Sequence, residues 1–341
     1  MYDNIQIIRY MGNKNGLLDF IIPEITEITE PGDTILDLMA GTNSVGYALK
    51  KRNRIISNDI QMYSYIIGKA IIENDKIVIS EESAGEEIRP YYQQNLKNKD
   101  YRFFYDNYAD TYFARQQCLD VDSIRYGISQ LENPYKKALY LSVLMYVMNK
   151  VQSSPGHFAQ YMPKDHPRII PKRQMNVWEI FLEKCNEFDH IINNGRDNLA
   201  LHENYKNIFE LDFINDVSCF YLDPPYTGEQ YSRFYHVLET VVKYDKPQLN
   251  YKGLYREGRF KSNFCYKSKV EGEFEFLMKE VSKRDSKLVI SYSNKGLLAV
   301  DRLKSMGNNY FNDTALYHYK YQHSTQGKGT NNVKEILLVL Q

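Results

Sequence analysis

The chain has 341 residues, of which 43% are hydrophobic, and a formal net charge of zero. This length favours one large α/β domain with an insertion, or two domains, and the apolar content is sufficient for a folded core. No apolar run approaches the roughly 20 residues that a membrane helix needs, and the N-terminal segment lacks the apolar stretch of a signal peptide. The four cysteines are far apart, without a CxxC pair, so we expect reduced thiols in a cytoplasmic protein, with no metal site and no disulfide framework.

The first predicted elements form a β-turn-α-β unit. Residues 16–29 have apolar side chains at helical spacing, and we expect Pro23 to kink this helix or to begin a new one. Residues 34–41 predict a buried strand that ends in a glycine turn, residues 44–52 a helix, and residues 54–60 a second strand. Such a unit opens a doubly wound, mostly parallel α/β sheet.

Residues 86–197 interrupt this pattern with aromatic, mostly helical sequence and include a polar loop at 152–174. After the interruption, strand patterns return at residues 198–203, 217–226, 287–293 and 334–340. The simplest organisation is one sheet with an inserted helical domain. We therefore expect residues 1–72 and 198–341 to form one domain and residues 86–197 to form the insert.

Charge is distributed unevenly along this neutral chain. Residues 73–87 carry six acidic residues and one lysine, whereas residues 243–269 carry eight basic and two acidic residues. Residues 317–334 contain no acidic residue and three lysines, which are Lys320, Lys328 and Lys334. Solvated surface charge explains any one run, but a neutral protein can also present a basic face to phosphates. The clustering of the two basic runs in the C-terminal part favours a polyanionic partner.

The strongest motif is Asp223-Pro224-Pro225-Tyr226, which directly follows the apolar strand 219–222. Ligands of open α/β sheets bind at the carboxyl ends of strands, so chemistry is expected here. An ionised Asp223 only accepts hydrogen bonds, and the prolines leave carbonyl acceptors without N–H donors. The motif therefore presents acceptors beside an aromatic ring, which complements the amino group of a flat base. Accepting its protons makes that nitrogen a better nucleophile, so we predict Asp223, Pro224 and Tyr226 to be catalytic.

Two further motifs indicate a nucleotide-like cofactor. A glycine turn runs from Asp37 to Gly41 after the first strand, where the backbone can approach a ligand closely. Asp59 follows the second strand, where an acid can bind both ribose hydroxyls. The turn alone fits dinucleotides equally well. Near the N-terminus, Tyr10 could pack on the cofactor, and Lys14 could hold the carboxylate of a methionine moiety.

Together, Tyr-x-Gly-x-Lys, Asp-x-x-x-Gly and Asp-Pro-Pro-Tyr resemble the S-adenosylmethionine-dependent DNA adenine methyltransferases of the Dam-like class. The resemblance covers about residues 1–70 and 198–341. It implies that the insert 86–197 is a target-recognition domain, that the cofactor is S-adenosylmethionine, and that the partner is double-stranded DNA whose target adenine flips out. A role in restriction-modification and a companion restriction endonuclease would fit this class. The sequence does not predict the recognition site or the oligomeric state.

The resemblance also implies residue roles. Tyr10, Lys14, Asp59 and Asp223 would contact the cofactor, and Tyr226 would stack on the target base. Two positions depart from the class, because Met39 and Asn43 replace the usual aromatic residue and final glycine of the cofactor turn. Asn tolerates a positive φ better than most residues, so we expect the turn to be retained.

A third departure concerns the base-binding side of the cofactor site. The Asp-aromatic pair expected after the third strand is Asn204-Tyr205, in which Tyr205 could still pack against the adenine. The predicted helix after the catalytic motif offers Tyr231, Arg233, Tyr235 and His236 as candidates for the base pocket or the DNA cleft. Packing of that helix on the sheet explains each of them equally well. His157, in the polar loop, is a candidate DNA contact or a residue that stabilises the loop.

Other activities are less compatible with the sequence. Methylation of a cytosine ring carbon needs a cysteine nucleophile, usually after proline, and the chain has no Pro-Cys pair. Amino-group methylation of cytosine more often uses serine in place of Asp223. Methyltransferases of RNA or of protein glutamine usually carry asparagine there and need no long insert. A catalytically idle DNA-binding module is disfavoured by the intact Asp-Pro-Pro-Tyr motif.

Overall fold

The structure is a computed structural model that describes residues 7–188, 191–320 and 334–341. Lys328, in the second predicted basic run, lies outside the described residues. The strands of the described chain are β1 (Thr34–Asp37), β2 (Arg54–Asn58), β3 (Leu199–Leu201), β4 (Val217–Leu222), β5 (Leu249–Asn250), β6 (Tyr255–Arg256), β7 (Lys287–Ser293), β8 (Thr314–Lys320) and β9 (Lys334–Leu340).

The main sheet has seven strands in the order β3-β2-β1-β4-β7-β9-β8. The first five of these are mutually parallel, and β9 runs antiparallel to both β7 and β8. This arrangement confirms the predicted doubly wound, mostly parallel α/β sheet. The sequence does not predict β8, because this segment mixes apolar residues with polar ones such as His318 and shows no clear apolar run. In the structure residues 314–317 are half-buried and His318 is exposed. The strands β5 and β6 form a separate antiparallel hairpin.

Helices cover both faces of the sheet and build the insert. Those of the described chain are α1 (Leu18–Glu27), α2 (Ser44–Leu49), α3 (Met62–Gly68), α4 (Glu81–Glu87), α5 (Arg89–Asn98), α6 (Phe103–Asn107), α7 (Arg115–Gln130), α8 (Pro134–Val151), α9 (Ile170–Arg173), α10 (Val177–Asn186), α11 (Tyr231–Phe234), α12 (His236–Lys243), α13 (Val270–Ser282) and α14 (Val300–Gly307). None of them is both long and apolar enough to cross a bilayer.

Two helices differ from the expectation. Pro23 does not begin a helix but lies inside α1, where it is exposed while Ile21, Ile22 and Ile25 are buried. The missing hydrogen bond therefore faces solvent, and the burial of the opposite face holds the helix together. The single helix predicted after the catalytic motif is two helices, because Tyr235 leaves the helical conformation between α11 and α12 with φ −119° and ψ 16°.

The sheet separates two buried clusters, as the period of two along its strands requires. In β4, Cys219 and Tyr221 face the cluster that contains α1–α3 and the insert helices, whereas Phe220 and Leu222 face the cluster that contains α13 and α14. The insert shares the first cluster, since α8 packs directly on α3 and α12. The insert is thus built onto the sheet through apolar contacts.

Candidate active site

A cleft opens where the carboxyl ends of β1, β2 and β4 meet. These strand ends carry the three predicted motifs, because parallel neighbours end at the same edge of a sheet. The predicted site residues in its wall are Tyr10, Lys14, Asp37, Gly41, Asp59, Tyr205, Asp223, Pro224 and Tyr231. Tyr226, Arg233 and His157 lie outside this wall.

The glycine turn has the left-handed backbone that the sequence requires. Gly41 has φ +52° and donates its N–H to Asp59 Oδ2 at 2.9 Å. Asn43 has φ +61° and is fully buried, and its amide joins Ser57 Oγ at 2.6 Å to the carbonyl of Ser64 at 3.1 Å. Asparagine therefore replaces glycine at this position with two hydrogen bonds that secure the strained conformation.

Two carboxylates lie beneath this turn. Asp59 accepts hydrogen bonds from the N–H groups of Gly41 and Gln61, at 2.9 and 2.8 Å, and burial raises its pKa. Asp37 is buried, and its Oδ1 has no hydrogen-bond partner among the described residues. Burial, and then the negative charge of Asp223, raise the pKa of Asp37 to about 8. A cluster of acids with an unsatisfied oxygen fits a ligand that brings positive charge and hydrogen-bond donors.

Lys14 holds the N-terminal loop, residues 7–13, against the Asp223-Pro224-Pro225-Tyr226 motif. Its ammonium nitrogen lies 2.9 Å from Asp223 Oδ1, 2.8 Å from the Tyr226 hydroxyl and 3.3 Å from the Gly12 carbonyl. Burial raises the pKa of Asp223, and the Lys14 ammonium opposes that shift. The three oxygens surround the three N–H donors of Lys14. In this structure Lys14 is thus the charge partner of Asp223, and a contact between Lys14 and a cofactor carboxylate stays a prediction.

Tyr226 is half-buried beside the cleft. Its ring packs edge-to-face on Tyr292, with centroids 5.6 Å apart. Its hydroxyl lies 3.1 Å from Glu335 Oε1 as well as 2.8 Å from Lys14 Nζ. These contacts fix both ends of the side chain, and the stacking of Tyr226 on a base stays a prediction.

Tyrosines connect the N-terminal loop to the helices after the catalytic motif. Tyr10 stacks on Tyr235 with centroids 4.5 Å apart and lies 5.5 Å from Tyr231, whose side chain also lines the cleft. The Tyr235 hydroxyl accepts the Met11 N–H at 2.6 Å. Tyr235 is therefore buried behind this wall of the cleft and supports it, whereas the half-buried Tyr231 is accessible from the cleft.

Tyr205 and Asn204 line the side of the cleft next to Asp59. The Tyr205 hydroxyl donates to the carboxylate of Glu273 on α13, which also pairs with Lys206 at 2.9 Å. The Tyr205 ring is consequently held in one orientation, as a flat wall for a planar ligand requires.

Arg233 and His157 have structural partners outside the cleft wall. Arg233 is exposed, pairs with Glu229 at 3.3 Å and lies over the Tyr255 ring at 5.6 Å. His157 Nδ1 accepts the Ala159 N–H at 3.2 Å, and its ring packs edge-to-face on Phe234. These contacts match the loop-stabilising alternative for His157, and a DNA contact of either residue stays a prediction.

The insert loop is hydrogen-bonded to the helices that follow the catalytic motif. The Phe158 N–H donates to the Phe234 carbonyl at 2.8 Å, and His236 Nε2 lies 2.9 Å from the Phe158 carbonyl. Burial lowers the pKa of His236 to about 3, so its neutral ring donates through Nε2. His236 is buried and belongs to this connection, not to the cleft wall.

Three residues that hold parts of the site in place were not predicted as site residues. Glu273 and Glu335 hold the two tyrosines of the site, and the Gln230 amide is fixed by two hydrogen bonds to the Ser262 backbone, at 3.0 and 2.7 Å. Of these three, only Glu335 could have been noticed in the sequence, because it is an acid directly before the apolar run 336–340 of a predicted strand.

Comparison with known proteins gives the family. The chain matches the model of a family described as D12 class N6 adenine-specific DNA methyltransferase over residues 10–306. It is 30% identical to the modification methylase LlaI of Lactococcus lactis subsp. lactis over 89% of this chain and 49% of that protein. It is 29% identical to the type II methyltransferase M.FokI of Planomicrobium okeanokoites over 88% of this chain and 46% of that protein.

The type II methyltransferase M2.HphI of Haemophilus parahaemolyticus is 26% identical, over 84% of this chain and 83% of that protein. The chain thus spans about half the length of the LlaI and M.FokI proteins and most of M2.HphI. The family match includes the N-terminal loop, the glycine turn, the insert and the Asp-Pro-Pro-Tyr motif. The chain therefore belongs to the D12 class N6 adenine-specific DNA methyltransferase family, as the resemblance implied.

Proposed function

We propose that this protein transfers a methyl group from S-adenosylmethionine to the N6 amino group of adenine in double-stranded DNA. The observation that carries the proposal is the placement of Asp223, paired with Lys14, in the wall of the same cleft as the glycine turn. The family supplies the reaction class, and the cleft supplies acceptors for an amino group beside a site for a methyl donor.

The residues of the cleft fit S-adenosylmethionine. Asp59 lines the cleft and would accept the ribose hydroxyls, and the unsatisfied Asp37 Oδ1 would accept from the amino-acid ammonium. Tyr205 would flank the adenine ring, and Gly41 allows close backbone approach. When bound, S-adenosylmethionine would supply an electrophilic methyl group, and the electron pair of the broken carbon–sulfur bond would stay on sulfur, which leaves as a neutral thioether. The acid-rich wall complements the positive charge of that cofactor.

Asp223 and Pro224 act on the target amino group. The nitrogen gains positive charge as it forms a bond to carbon, and the Asp223 carboxylate stabilises that charge by accepting an amino proton. The Pro224 carbonyl accepts from the second N–H. Lys14 favours the ionised form of Asp223, which is the form that accepts. Stacking on Tyr226 would recover about 1–3 kcal/mol of the free energy that flipping the adenine costs.

DNA binding is assigned to two surfaces. Within the basic run 243–269, Arg256 pairs with Asp245 at 2.6 Å and Lys243 with Glu239 at 2.6 Å, whereas Lys261 is exposed and fits a phosphate contact. The insert loop exposes Gln160 and Arg168, which can reach base edges. We place the activity in a restriction-modification system with a companion endonuclease, as the names of the relatives suggest.

The test is methyl transfer by the purified protein. Incubation with tritiated S-adenosylmethionine and mixed-sequence duplex DNA should label the DNA, and sequencing of modified bases should find N6-methyladenine at one short sequence. Asp223→Ala should lower transfer by more than about 100-fold. Asp216→Ala is a matched control, because Asp216 is exposed just before the opposite end of β4. Label in N4-methylcytosine, or Asp223→Ala within about tenfold of wild type, would refute the proposal.

A further inference from the structure

Glu335 is a buried carboxylate in β9, a strand whose following residues, 336–340, are all apolar. It lies on β9, opposite Ser293 of β7 and Tyr319 of β8, and only 6% of its surface is exposed. The residues that match the family model end at 306, so this strand lies beyond them. Burying a carboxylate is costly unless nearby groups compensate, which raises the question of what Glu335 does.

Its partner is the last residue of the catalytic motif. Lys14 has only donors, so it donates to the Tyr226 oxygen at 2.8 Å, and the single Tyr226 proton is donated to Glu335 Oε1 at 3.1 Å. The same ammonium lies 2.9 Å from Asp223. Glu335, Tyr226, Lys14 and Asp223 thus form one continuous network, with its ends on β9 and at the end of β4.

We propose that Glu335 is a positioning residue for methyl transfer, which acts through the Tyr226 hydroxyl. Its carboxylate fixes the direction of the Tyr226 proton, so the tyrosine oxygen faces Lys14 and the ammonium stays beside Asp223. The Tyr226 ring is held at the same time between Glu335 and Tyr292. This inference rests on the proposed function, because it assigns Tyr226 and Asp223 to the target base.

Substitutions separate the hydrogen bond from the charge. Glu335→Ala removes the acceptor and should lower the single-turnover rate by about 10- to 100-fold. Binding of S-adenosylmethionine, measured by calorimetry, should stay within about twofold, because Glu335 is outside the cofactor wall. Glu335→Gln keeps an acceptor oxygen for Tyr226 and should restore the rate to within about threefold of wild type. Glu275→Ala is the matched control, since Glu275 accepts from the exposed Tyr310 hydroxyl at 3.2 Å on the surface.

A double-mutant cycle tests whether Glu335 acts through Tyr226. Tyr226→Phe removes only the hydroxyl, so it should slow transfer about as much as Glu335→Ala. The double variant should be no slower than the slower single variant, because both remove the same interaction. Multiplicative losses would overturn the inference, as would a Glu335→Ala rate within about threefold of wild type. If Glu335→Ala does not fold, a wild-type rate for Tyr226→Phe overturns it.

A second measurement does not need methyl transfer. The chain has 30 tyrosines, and in protein labelled with ¹³C at tyrosine Cζ, the resonance absent from Tyr226→Phe is that of Tyr226. Glu335→Ala should shift this resonance, Glu335→Gln should shift it less, and Glu275→Ala should leave it in place. An unmoved Tyr226 resonance in Glu335→Ala overturns the inference whatever the activity. If the wild-type protein labels no DNA but the resonance shifts as described, the proposed function fails while the connection between Glu335 and Tyr226 stands.

Discussion

Asp37 allows a quantitative test of the cofactor site, because its carboxylate and the proposed ligand ammonium titrate in the same pH range. Burial and the charge of Asp223 raise the pKa of Asp37 to about 8, and an α-amino group loses its proton at about pH 7.7–8.0. The contact needs an ionised carboxylate and a protonated amine. The product of the ionised fraction of Asp37 and the protonated fraction of the amine is about 1% at pH 6 and about 20% at pH 8. The affinity for S-adenosylmethionine should therefore rise roughly 20-fold over this interval.

The same pKa shift has the opposite effect on the stability of the ligand-free protein. Between the ordinary value of 3.8 and about 8, the folded state keeps a proton that the unfolded chain has lost. The free energy of unfolding therefore has its full contribution from Asp37 below about pH 4, and this contribution is lost as the pH rises through the folded-state pKa of about 8. Asp37→Asn is neutral at every pH, so it should remove this loss together with the pH dependence of binding.

Calorimetric titrations at about pH 6, 7 and 8 measure the affinity, and repeating them in buffers of different ionisation enthalpy counts the protons released. Wild-type protein should release close to one proton at about pH 6, whereas Asp37→Asn should bind weakly and release none. Asp216→Asn should behave as wild type, since Asp216 is exposed and away from the cleft. A wild-type affinity that changes by less than about threefold between pH 6 and 8, without proton release, would refute the assignment of Asp37.

Four further predictions concern single positions. Asp59→Ala removes the proposed acceptor for the ribose hydroxyls and should weaken S-adenosylmethionine binding by at least about tenfold in calorimetry; an unchanged dissociation constant would exclude that role. Asn43→Ala should destabilise the protein by about 2–4 kcal/mol in urea unfolding, because it loses two buried hydrogen bonds at φ +61°, and Asn43→Gly should cost less; equal losses would mean that the backbone strain is unimportant. Lys261→Ala should weaken binding to all DNA sequences alike and flatten its salt dependence. Arg168→Ala should instead reduce the preference for the cognate site by roughly 1–3 kcal/mol in methylation competitions, and an equal loss on all sequences would make the insert a scaffold.

The parts of the site that are predictable from sequence are those set by local chemistry. A buried strand followed by glycine, or by Asp-Pro-Pro-Tyr, places its acid at the carboxyl end of a parallel sheet, so Asp37, Asp59 and Asp223 were expected in one cleft. Asn43 was expected to keep the left-handed turn because asparagine tolerates positive φ, and it has φ +61°.

The rest depends on contacts between distant parts of the chain. Glu335 contacts Tyr226 at a sequence separation of 109 residues, and Glu273 contacts Tyr205 at a separation of 68. No local sequence pattern predicts contacts between such distant residues. Lys14 lines the cleft, where it was expected, but its ion pair with Asp223 joins residues far apart in the chain and is visible only in the packed structure. Pro23 was expected to kink this helix or to begin a new one, but it lies inside α1, where the opposite face is buried and the missing hydrogen bond is at the surface.

The hydrogen bonds between the insert loop and the helices after the catalytic motif define what can be exchanged between methyltransferases. Phe158 is bonded to Phe234 and His236, and Tyr255 lies against His236 with ring centroids 5.0 Å apart. A chimaera that receives residues 86–197 alone would leave these donors and acceptors facing foreign partners. If the insert reads the target sequence as we propose, the unit to transplant includes α11, α12 and the β5–β6 hairpin along with the insert, although they are separated from it in sequence by β3 and β4.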